Sequence, residues 1–221
     1  MRQGIELCRE AAAHGTAILF ATPHVWPHLT LTDEREVAIR KAYGEMRSQA
    51  GLELRLGFEL TPHPRLLRED LGRYALEGTG CVLVEVPFTG GPDVLFQVAE
   101  HIEAGGLRPV IAHPERTETV LDDPEVAAEL AARGWDLQVN GTSLLGLHGP
   151  RPEELAWRFL ENGQASIVAS DGHRATRPPH LDEAYAAALD RLGEDATGFF
   201  DGSALGLSRL QTPSRAASTT A

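Results

Sequence analysis

Five β-rich apolar segments of this chain each run directly into a histidine or an acid. Their polar ends are separated by 35, 26, 28 and 58 residues, and a sixth strand-like segment, Leu137–Asn140, divides the last interval into 27 and 31. A strand, a return helix and two turns need about thirty residues, so this spacing predicts repeated βα units. The five segments are Ile18–His24, Leu54–Glu59, Val82–Glu85, Val110–His113 and Ile167–His173.

The polar ends of these segments are predicted to meet. The carboxyl ends of parallel strands lie on one face, so side chains from distant positions converge there. Neutral imidazole nitrogen and carboxylate oxygen suit zinc, manganese or iron. The repetition therefore predicts a metal-dependent enzyme. The polar ends are His24, Glu59, Glu85, His113 and Asp171, with His173 two residues beyond the last.

Each polar end also has an ordinary structural explanation. Glu85 lies in the apolar run Cys81–Pro87, where a carboxylate is costly to bury unless it is paired or bound to a metal. A nearby arginine could pair with it, and Glu59 could lie in a solvated loop. A single histidine beside a proline, such as His24 or His113, is more often a loop residue, but two at equivalent positions of the repeat favour a site.

Two arginines follow the polar ends closely. Arg116 comes three residues after His113, and Arg177 comes six residues after Asp171. A guanidinium beside such a cluster can grip an anionic, oxygen-rich substrate such as a phosphate through paired donors. The alternative at each arginine is a solvated salt bridge. His180 adjoins the same region.

Length, charge and cysteine content exclude several classes of protein. The 221 residues suffice for one sizeable domain, and a net charge of −12 with scattered arginines makes nucleic acid a poor partner. Cys8 and Cys81 are too isolated for a disulfide framework or a cysteine zinc site. No segment resembles a signal peptide or reaches the roughly twenty apolar residues of a membrane span, which predicts a cytoplasmic protein.

The order of elements predicts a parallel sheet that closes as a barrel, or nearly so, because six strands alternate with helices. The chain opens on an amphipathic helix, Arg2–His14, and a barrel without its first strand would leave an unpaired edge. From about Gln211 the composition turns to Thr, Pro, Ser, Arg and Ala. We therefore predict a domain over residues 1–210 and a disordered tail over residues 211–221.

The common phosphate-binding and nucleophile motifs are missing from the sequence. It has no GxxxxGK[ST] loop, no GxGxxG after a strand and no GxSxG elbow. A cysteine phosphatase needs an arginine six residues after its thiolate, but His14 and Pro87 stand six residues after Cys8 and Cys81. Covalent thiol chemistry is therefore excluded.

Six motifs, in unbroken order between about Gly4 and Leu210, resemble the polymerase-and-histidinol-phosphatase (PHP) superfamily. The segment Arg177–Leu181 resembles its branch of bacterial tyrosine-protein phosphatases from capsule and exopolysaccharide operons. No single motif is decisive, but six in order with fitting spacing are specific. The motifs are Thr22-Pro23-His24, Gly57-x-Glu59, Glu85 in its strand, Ala112–Arg116, Gln138–Asn140 and Ala169–His173.

The resemblance implies an α/β fold, a distorted (β/α)7 TIM-like PHP barrel whose first strand is missing here. It implies two or three divalent metal ions at the C-terminal face, most often manganese, with zinc or iron as alternatives. Arg116 and Arg177 match the family's catalytic, phosphate-binding arginines. Six residues match its metal ligands, namely His24, Glu59, Glu85, His113, Asp171 and His173.

The function implied by the resemblance is metal-dependent hydrolysis of phosphotyrosine in a protein, such as a tyrosine autokinase of polysaccharide export. Metal ions would polarise the phosphoryl oxygens and supply a hydroxide for in-line attack, while Arg116 and Arg177 neutralise developing charge. Two alternatives stay open. One is a small-molecule phosphatase acting on a substrate such as histidinol phosphate. The other is an inactive, truncated paralogue that serves as a binding or regulatory protein.

The family's first strand carries His-x-His and is soon followed by an Asp-Asp-Gly turn, neither of which stands in this sequence. Met1 aligns just past that point. Because all six downstream ligand candidates are retained, we predict that Met1 is a misassigned start or a boundary. The gene is then expected to encode about twenty to thirty more residues, including His-x-His. Without them the chain is expected to hold metal weakly.

Overall fold

The computed structural model describes residues 2–88, 91–174 and 177–207 of the chain. Within these ranges the chain forms eight short strands, most of them followed by helices, and every pairing between these strands is parallel. The predicted parallel α/β architecture is therefore confirmed. The strands are β1 (Ile18–Ala21), β2 (His24–Val25), β3 (Glu53–Leu56), β4 (Glu59–Leu60), β5 (Cys81–Glu85), β6 (Arg108–Ala112), β7 (Asp136–Asn140) and β8 (Ala165–Ala169).

Two breaks divide the first two predicted strands. β1 pairs with β3, whereas the other six strands form one sheet in the order β2-β4-β5-β6-β7-β8. The breaks fall at Thr22-Pro23 and at Gly57-Phe58, and Pro23 has no backbone N–H to donate to a ladder. No pairing among the described residues joins β8 to β1 or β2, so the described strands form an open array.

Helices occupy the predicted intervals between the strands. They are α1 (Arg2–Ala13), α2 (Asp33–Arg47), α3 (Asp93–Ala104), α4 (Glu118–Asp122), α5 (Glu125–Ala132), α6 (Gly141–Leu144), α7 (Pro150–Glu161) and α8 (Asp182–Leu192). The hydroxyl of Thr32 accepts a hydrogen bond from the N–H of Arg35 and caps α2. The sequence did not predict α4 and α6, because helices of five and four residues are too short for a periodic apolar pattern.

The core lies between the six-stranded sheet and its helices. Val82 and Val84 of β5 are fully buried, as expected for a parallel strand covered on both faces. Leu155 and Phe159 of α7 are four residues apart, so they lie on the same face of the helix, and both side chains are buried in this core. Burying a side chain such as Phe159 contributes about 1.5–3 kcal/mol. This packing fixes the strands, and with them the positions of their carboxyl ends.

Three further predictions concern the cysteines, the membrane and the tail. Cys8 and Cys81 are free and buried, and Cys81 begins β5 whereas Glu85 ends it. Across the described ranges, no helix has the length and apolar character that crossing a membrane requires. The predicted domain end at residue 210 and the tail over residues 211–221 lie outside the described residues.

Candidate metal and phosphate site

The predicted polar residues lie at the carboxyl edge of the sheet. His24, at the start of β2, is in register with Glu59 at the start of β4. Glu85 ends β5, His113 directly follows β6, and Asp171 comes two residues after β8. They surround an open cleft of about 490 Å³. Seven of the eight predicted site residues line this cleft, and the eighth, Glu59, contacts two of them.

Four of these residues form an imidazole–carboxylate cluster, consisting of His24, Glu59, Glu85 and His113. Nε2 of His113 donates to Oε1 of Glu59 at 2.9 Å, and Nδ1 of His24 lies 3.6 Å from Oε2 of the same carboxylate. One donor atom from each of His24, Glu59 and Glu85 lies within 4.8 Å of the others. The hydroxyl of Thr61 donates to Glu85.

Burial governs the charge states in this cluster. Loss of solvent raises the pKa of Glu85, and the neighbouring Glu59 adds to the rise, against the opposing hydrogen bond from Thr61. Burial alone would lower the pKa of His113, but its hydrogen bond to Glu59 and the charge of that carboxylate outweigh burial and raise it. Two acids this close together are therefore costly unless a cation lies between them.

Two nitrogens of the cluster suit a metal ion. Nδ1 of His24 and Nδ1 of His113 are buried, and neither has a hydrogen-bond partner among the described residues. Buried polar atoms are normally paired, so an unpaired imidazole nitrogen calls for an explanation. Together with the nearby carboxylate oxygens, these nitrogens form the mixed donor set that zinc, manganese and iron prefer.

The second part of the site surrounds Asp171. Oδ2 of Asp171 accepts from Arg116 at 2.7 Å, from Nδ2 of Asn140 at 2.9 Å, and from Arg177. Arg116 and Arg177, the guanidinium pair, therefore converge on one carboxylate oxygen from different segments. The other oxygen, Oδ1, lies 3.3 Å from Nδ1 of His173. The sequence predicted Arg116 beside His113 and Arg177 beside Asp171; in the structure both arginines contact Asp171.

His173 connects the two parts of the site. Its Nε2 lies 3.4 Å from Nε2 of His24, while its Nδ1 lies 2.8 Å from the backbone carbonyl oxygen of Asp171. The ring is exposed, unlike that of His113. Seven of the eight predicted residues are thus linked by side-chain contacts, and Glu85 lies within 4.8 Å of two of them, so all eight form one site.

Unusual backbone conformations hold two of the site residues. His113 (φ 38°) and Asp171 (φ 49°) are the two non-glycine residues with positive φ in the described part of the chain. Such conformations cost about 1–3 kcal/mol and cluster at functional sites. Gly172 follows Asp171, and a Cβ there would lie 2.6 Å from Cα of Pro179. Glycine therefore allows the segment that carries Arg177 to pack against the strand end.

Aromatic side chains at the cleft were missed by sequence reasoning. Trp26 stacks on His24 with ring centroids 4.8 Å apart, and His28 follows at 5.3 Å from Trp26. Phe88 is 45% exposed on the cleft wall, and the guanidinium of Arg116 lies 5.9 Å from its ring centroid. Trp26 follows His24 by two residues and Phe88 follows Glu85 by three. Their positions just after polar strand ends could have identified them as candidate cleft residues.

A buried acid, Glu115, holds the backbone of Asn140 beside the site. Glu115 is fully buried, and its Oε1 accepts from the backbone N–H of Asn140 at 2.9 Å and from the hydroxyl of Ser143 at 2.6 Å. Burial raises the pKa of Glu115. Through Asn140 it links the segment after His113 to Asp171. Glu115 and Asn140 stand in two of the six sequence motifs, but nothing in the sequence pattern predicted the contact between them.

His148, which no sequence pattern singled out, lies close enough to the guanidinium pair to be affected by its charge. Its Nε2 lies 2.8 Å from the hydroxyl oxygen of Thr142. Burial lowers its pKa to about 4, with the positive charges of Arg116 and Arg177 adding to the effect. His148 is therefore neutral near pH 7, so it adds no positive charge beside the two arginines.

Comparison with known proteins places the fold and the site in context. A family model described as capsular polysaccharide synthesis, CpsB/CapC, matches residues 1–200. The tyrosine-protein phosphatase YwqE of Bacillus subtilis is 28% identical over 201 residues, which cover 86% of this chain and 78% of YwqE. The tyrosine-protein phosphatase CpsB of Streptococcus agalactiae is 25% identical over 207 residues, covering 88% and 85%.

Solved structures agree with this similarity. One described as YwqE from Bacillus subtilis and CpsB from Streptococcus pneumoniae, metal-dependent tyrosine phosphatases, superposes with a TM-score of 0.78 at 27% identity. It covers 88% of this chain and 81% of the solved chain. A zinc-bound amidohydrolase from Burkholderia ambifaria superposes with a TM-score of 0.52 at 16% identity, covering 87% and 62%, which supports the barrel-type fold alone.

Proposed function

The chain belongs to the CpsB/CapC family of capsular polysaccharide synthesis, and on that premise we propose that it is a metal-dependent protein-tyrosine phosphatase. One observation carries the proposal. The imidazole–carboxylate cluster, which suits cations, directly adjoins the guanidinium pair, which suits a phosphate, and Asp171 and His173 join the two. The names of the similar relatives supply the phosphotyrosine substrate class.

The proposed metal ligands are the six residues matched by the family resemblance. When bound, divalent ions supply Lewis acidity toward phosphoryl oxygens and lower the pKa of water. Two or three ions are proposed, with manganese as the preferred element and zinc or iron as alternatives. The unpaired buried nitrogens of two histidines support this assignment. The ligands are His24, Glu59, Glu85, His113, Asp171 and His173.

The guanidinium pair binds the phosphoryl group in this proposal. Arg116 and Arg177 each present planar N–H donors, and both are held by Asp171 at the edge of the cleft. A transferring phosphoryl group spreads charge over its three equatorial oxygens, so fixed donors stabilise the transition state. Tyrosine leaves as a phenolate with a parent pKa of about 10, so protonation by a side chain is not essential.

The aromatic walls of the cleft support a phosphotyrosine substrate. Trp26 and Phe88 line the same cleft as the guanidinium pair, and aromatic rings stack favourably on one another. The proposed protein substrate is a bacterial tyrosine autokinase, which rests on the family's connection with capsular polysaccharide synthesis. The cytoplasmic location stays a prediction.

Turnover of three phosphate esters tests the proposed function. The purified chain, supplied with Mn²⁺, is assayed on a phosphotyrosine peptide, on the same peptide with phosphoserine, and on histidinol phosphate. We expect the phosphotyrosine peptide to have the highest kcat/KM and excess chelator to abolish turnover. Preference for histidinol phosphate would favour the small-molecule phosphatase. Metal binding without turnover of any ester would favour the regulatory paralogue.

A further inference from the structure

A second cluster of metal-binding side chains lies where α1 meets α8. His14 directly follows α1, and Asp182 is the first residue of α8. Nδ1 of His14 lies 2.8 Å from Oδ2 of Asp182, and Nδ1 of His180 lies 3.1 Å from Oδ1 of the same carboxylate. The two imidazole rings stack with centroids 4.2 Å apart at an interplanar angle of 14°.

The donor atoms of this cluster are already close enough for one ion. One atom from each of His14, His180 and Asp182 lies within 4.8 Å of the others. Zinc binds imidazole nitrogen at about 2.0–2.1 Å and carboxylate oxygen at about 2.0–2.2 Å, so small side-chain movements would complete the coordination. All three side chains are at least partly exposed, so an ion and its remaining water ligands can enter.

The charges around the cluster also favour a cation. Two stacked imidazolium rings would repel each other. Each Nδ1 donates to the Asp182 carboxylate, so a metal ion would take the place of the two Nδ1 protons and leave each ring neutral with its proton on Nε2. Glu10 and Glu183 lie near enough to His14 to help raise its pKa, after the larger effect of its hydrogen bond to Asp182. The carboxyl end of α1 adds a partial negative charge beside His14.

We propose that His14, His180 and Asp182 bind one divalent cation of the zinc class, at a site separate from the cleft. None of the three is among the described residues that line the cleft. The bound ion would tie the end of α1 to the start of α8.

The position of His180 gives this site a structural consequence. Only Pro178 and Pro179 separate it from Arg177, and proline fixes the backbone angle φ. Pro179 also packs against Gly172. An ion that holds His180 therefore restrains the segment that presents Arg177 to the cleft.

Counting bound zinc in a protein that lacks two of its six proposed cleft ligands, before and after His14 is changed, tests the proposal. The starting protein is the double variant His113→Ala/Asp171→Ala, titrated with zinc chloride by calorimetry and checked by native mass spectrometry. We expect it to retain about one zinc. Adding His14→Ala should weaken that binding by more than about tenfold, because even the loss of an outer-shell group costs about 10- to 100-fold. Adding His63→Ala, which removes an imidazole outside both clusters, should leave the binding unchanged.

A second series covers the case in which the double variant fails to fold. In the otherwise unchanged chain, His14→Gln and Asp182→Asn should each lower the total zinc by one equivalent, while circular dichroism stays unchanged. The proposal is overturned if the double variant binds no zinc. It is equally overturned if His14→Ala and His14→Gln bind as much zinc as their parent proteins, which would leave the cluster as a hydrogen-bonded contact only.

Discussion

The two parts of the cleft differ in their balance of positive and negative groups. The imidazole–carboxylate cluster holds two carboxylates and two histidines, of which two nitrogens have no hydrogen-bond partner among the described residues. Around Asp171 the balance is reversed, because two guanidiniums and an amide donate to one carboxylate oxygen. The first part is short of positive charge and the second has a surplus. A cation and an anion can therefore bind side by side, as a metal-dependent phosphatase requires.

Asp171 is both a proposed metal ligand and the carboxylate that holds the guanidinium pair, so its removal should have the largest effect. Asp171→Ala frees the guanidinium pair and removes the carboxylate beside His173, and His113→Ala removes the buried partner of Glu59. We expect each variant to lose metal and to lose at least about a hundredfold in hydrolysis of an aryl phosphate, since even outer-shell changes cost about 10- to 100-fold.

Metal content and turnover are both measured for these variants. Asp190→Asn, an exposed position on α8, is the matched control and should behave as the unchanged chain does. Full activity of Asp171→Ala in excess chelator would contradict the proposal that the cleft binds metal ions for catalysis.

Changing an arginine should affect one part of the site and spare the other. Arg177→Lys keeps the charge but loses the planar fork, so turnover should fall about ten- to a thousandfold, the range for losing a transition-state donor. Metal content should stay constant. Arg191→Lys, at a surface ion pair with Glu161, is the control. Wild-type turnover of Arg177→Lys would exclude this arginine from the site.

The comparison also shows which parts of the molecule the sequence could predict. Glu85 ends one buried strand and His113 directly follows another. Buried strands are recognisable in a sequence as apolar, β-branched runs of regular spacing. Parallel pairing then brings their ends together whatever the loops do. The division of β1 from β2 at Thr22-Pro23 was not predicted, because the apolar pattern continues on both sides of the break.

Loop conformation explains what the sequence could not show. The positive φ of His113 could not be predicted from the sequence, because even histidine, which tolerates this conformation better than most residues, adopts it uncommonly. Trp26 and Phe88 reach the cleft, and His148 comes within range of the charges of the guanidinium pair, from loops whose paths follow no periodic pattern. Their roles therefore depend on tertiary contacts.

Changing Asn140, the third donor to Asp171, should have a smaller effect than changing an arginine. Its amide donates to the same oxygen as the guanidinium pair, while its backbone N–H is fixed by Glu115. Asn140→Ala should lower kcat by about 10- to 100-fold with both arginines still present, as is typical for groups that orient a ligand. The side-chain amide of Gln138 donates to Asn140 and has no contact with Asp171 among the described residues, so Gln138→Ala should have the weaker effect. Equal kcat in Asn140→Ala and the unchanged chain would show that the arginines alone orient Asp171.

His148 should give the smallest effect, and it appears in stability rather than in turnover. Burial and the guanidinium pair lower its pKa to about 4 in the folded chain, against about 6.5 in the unfolded chain. The unfolded state therefore binds the proton more readily. The contribution of His148 to the free energy of unfolding is fully present above about pH 6.5 and is lost as the pH falls toward 4. Solvent screening at this half-buried ring reduces the effect to about 1 kcal/mol, or about 2–4 °C in Tm. Thermal unfolding between pH 7 and pH 4 should show a steeper loss in the unchanged chain than in His148→Gln, with His63→Gln as the control. Parallel curves for the unchanged chain and His148→Gln would mean that burial and the guanidinium pair together do not lower the pKa of this histidine.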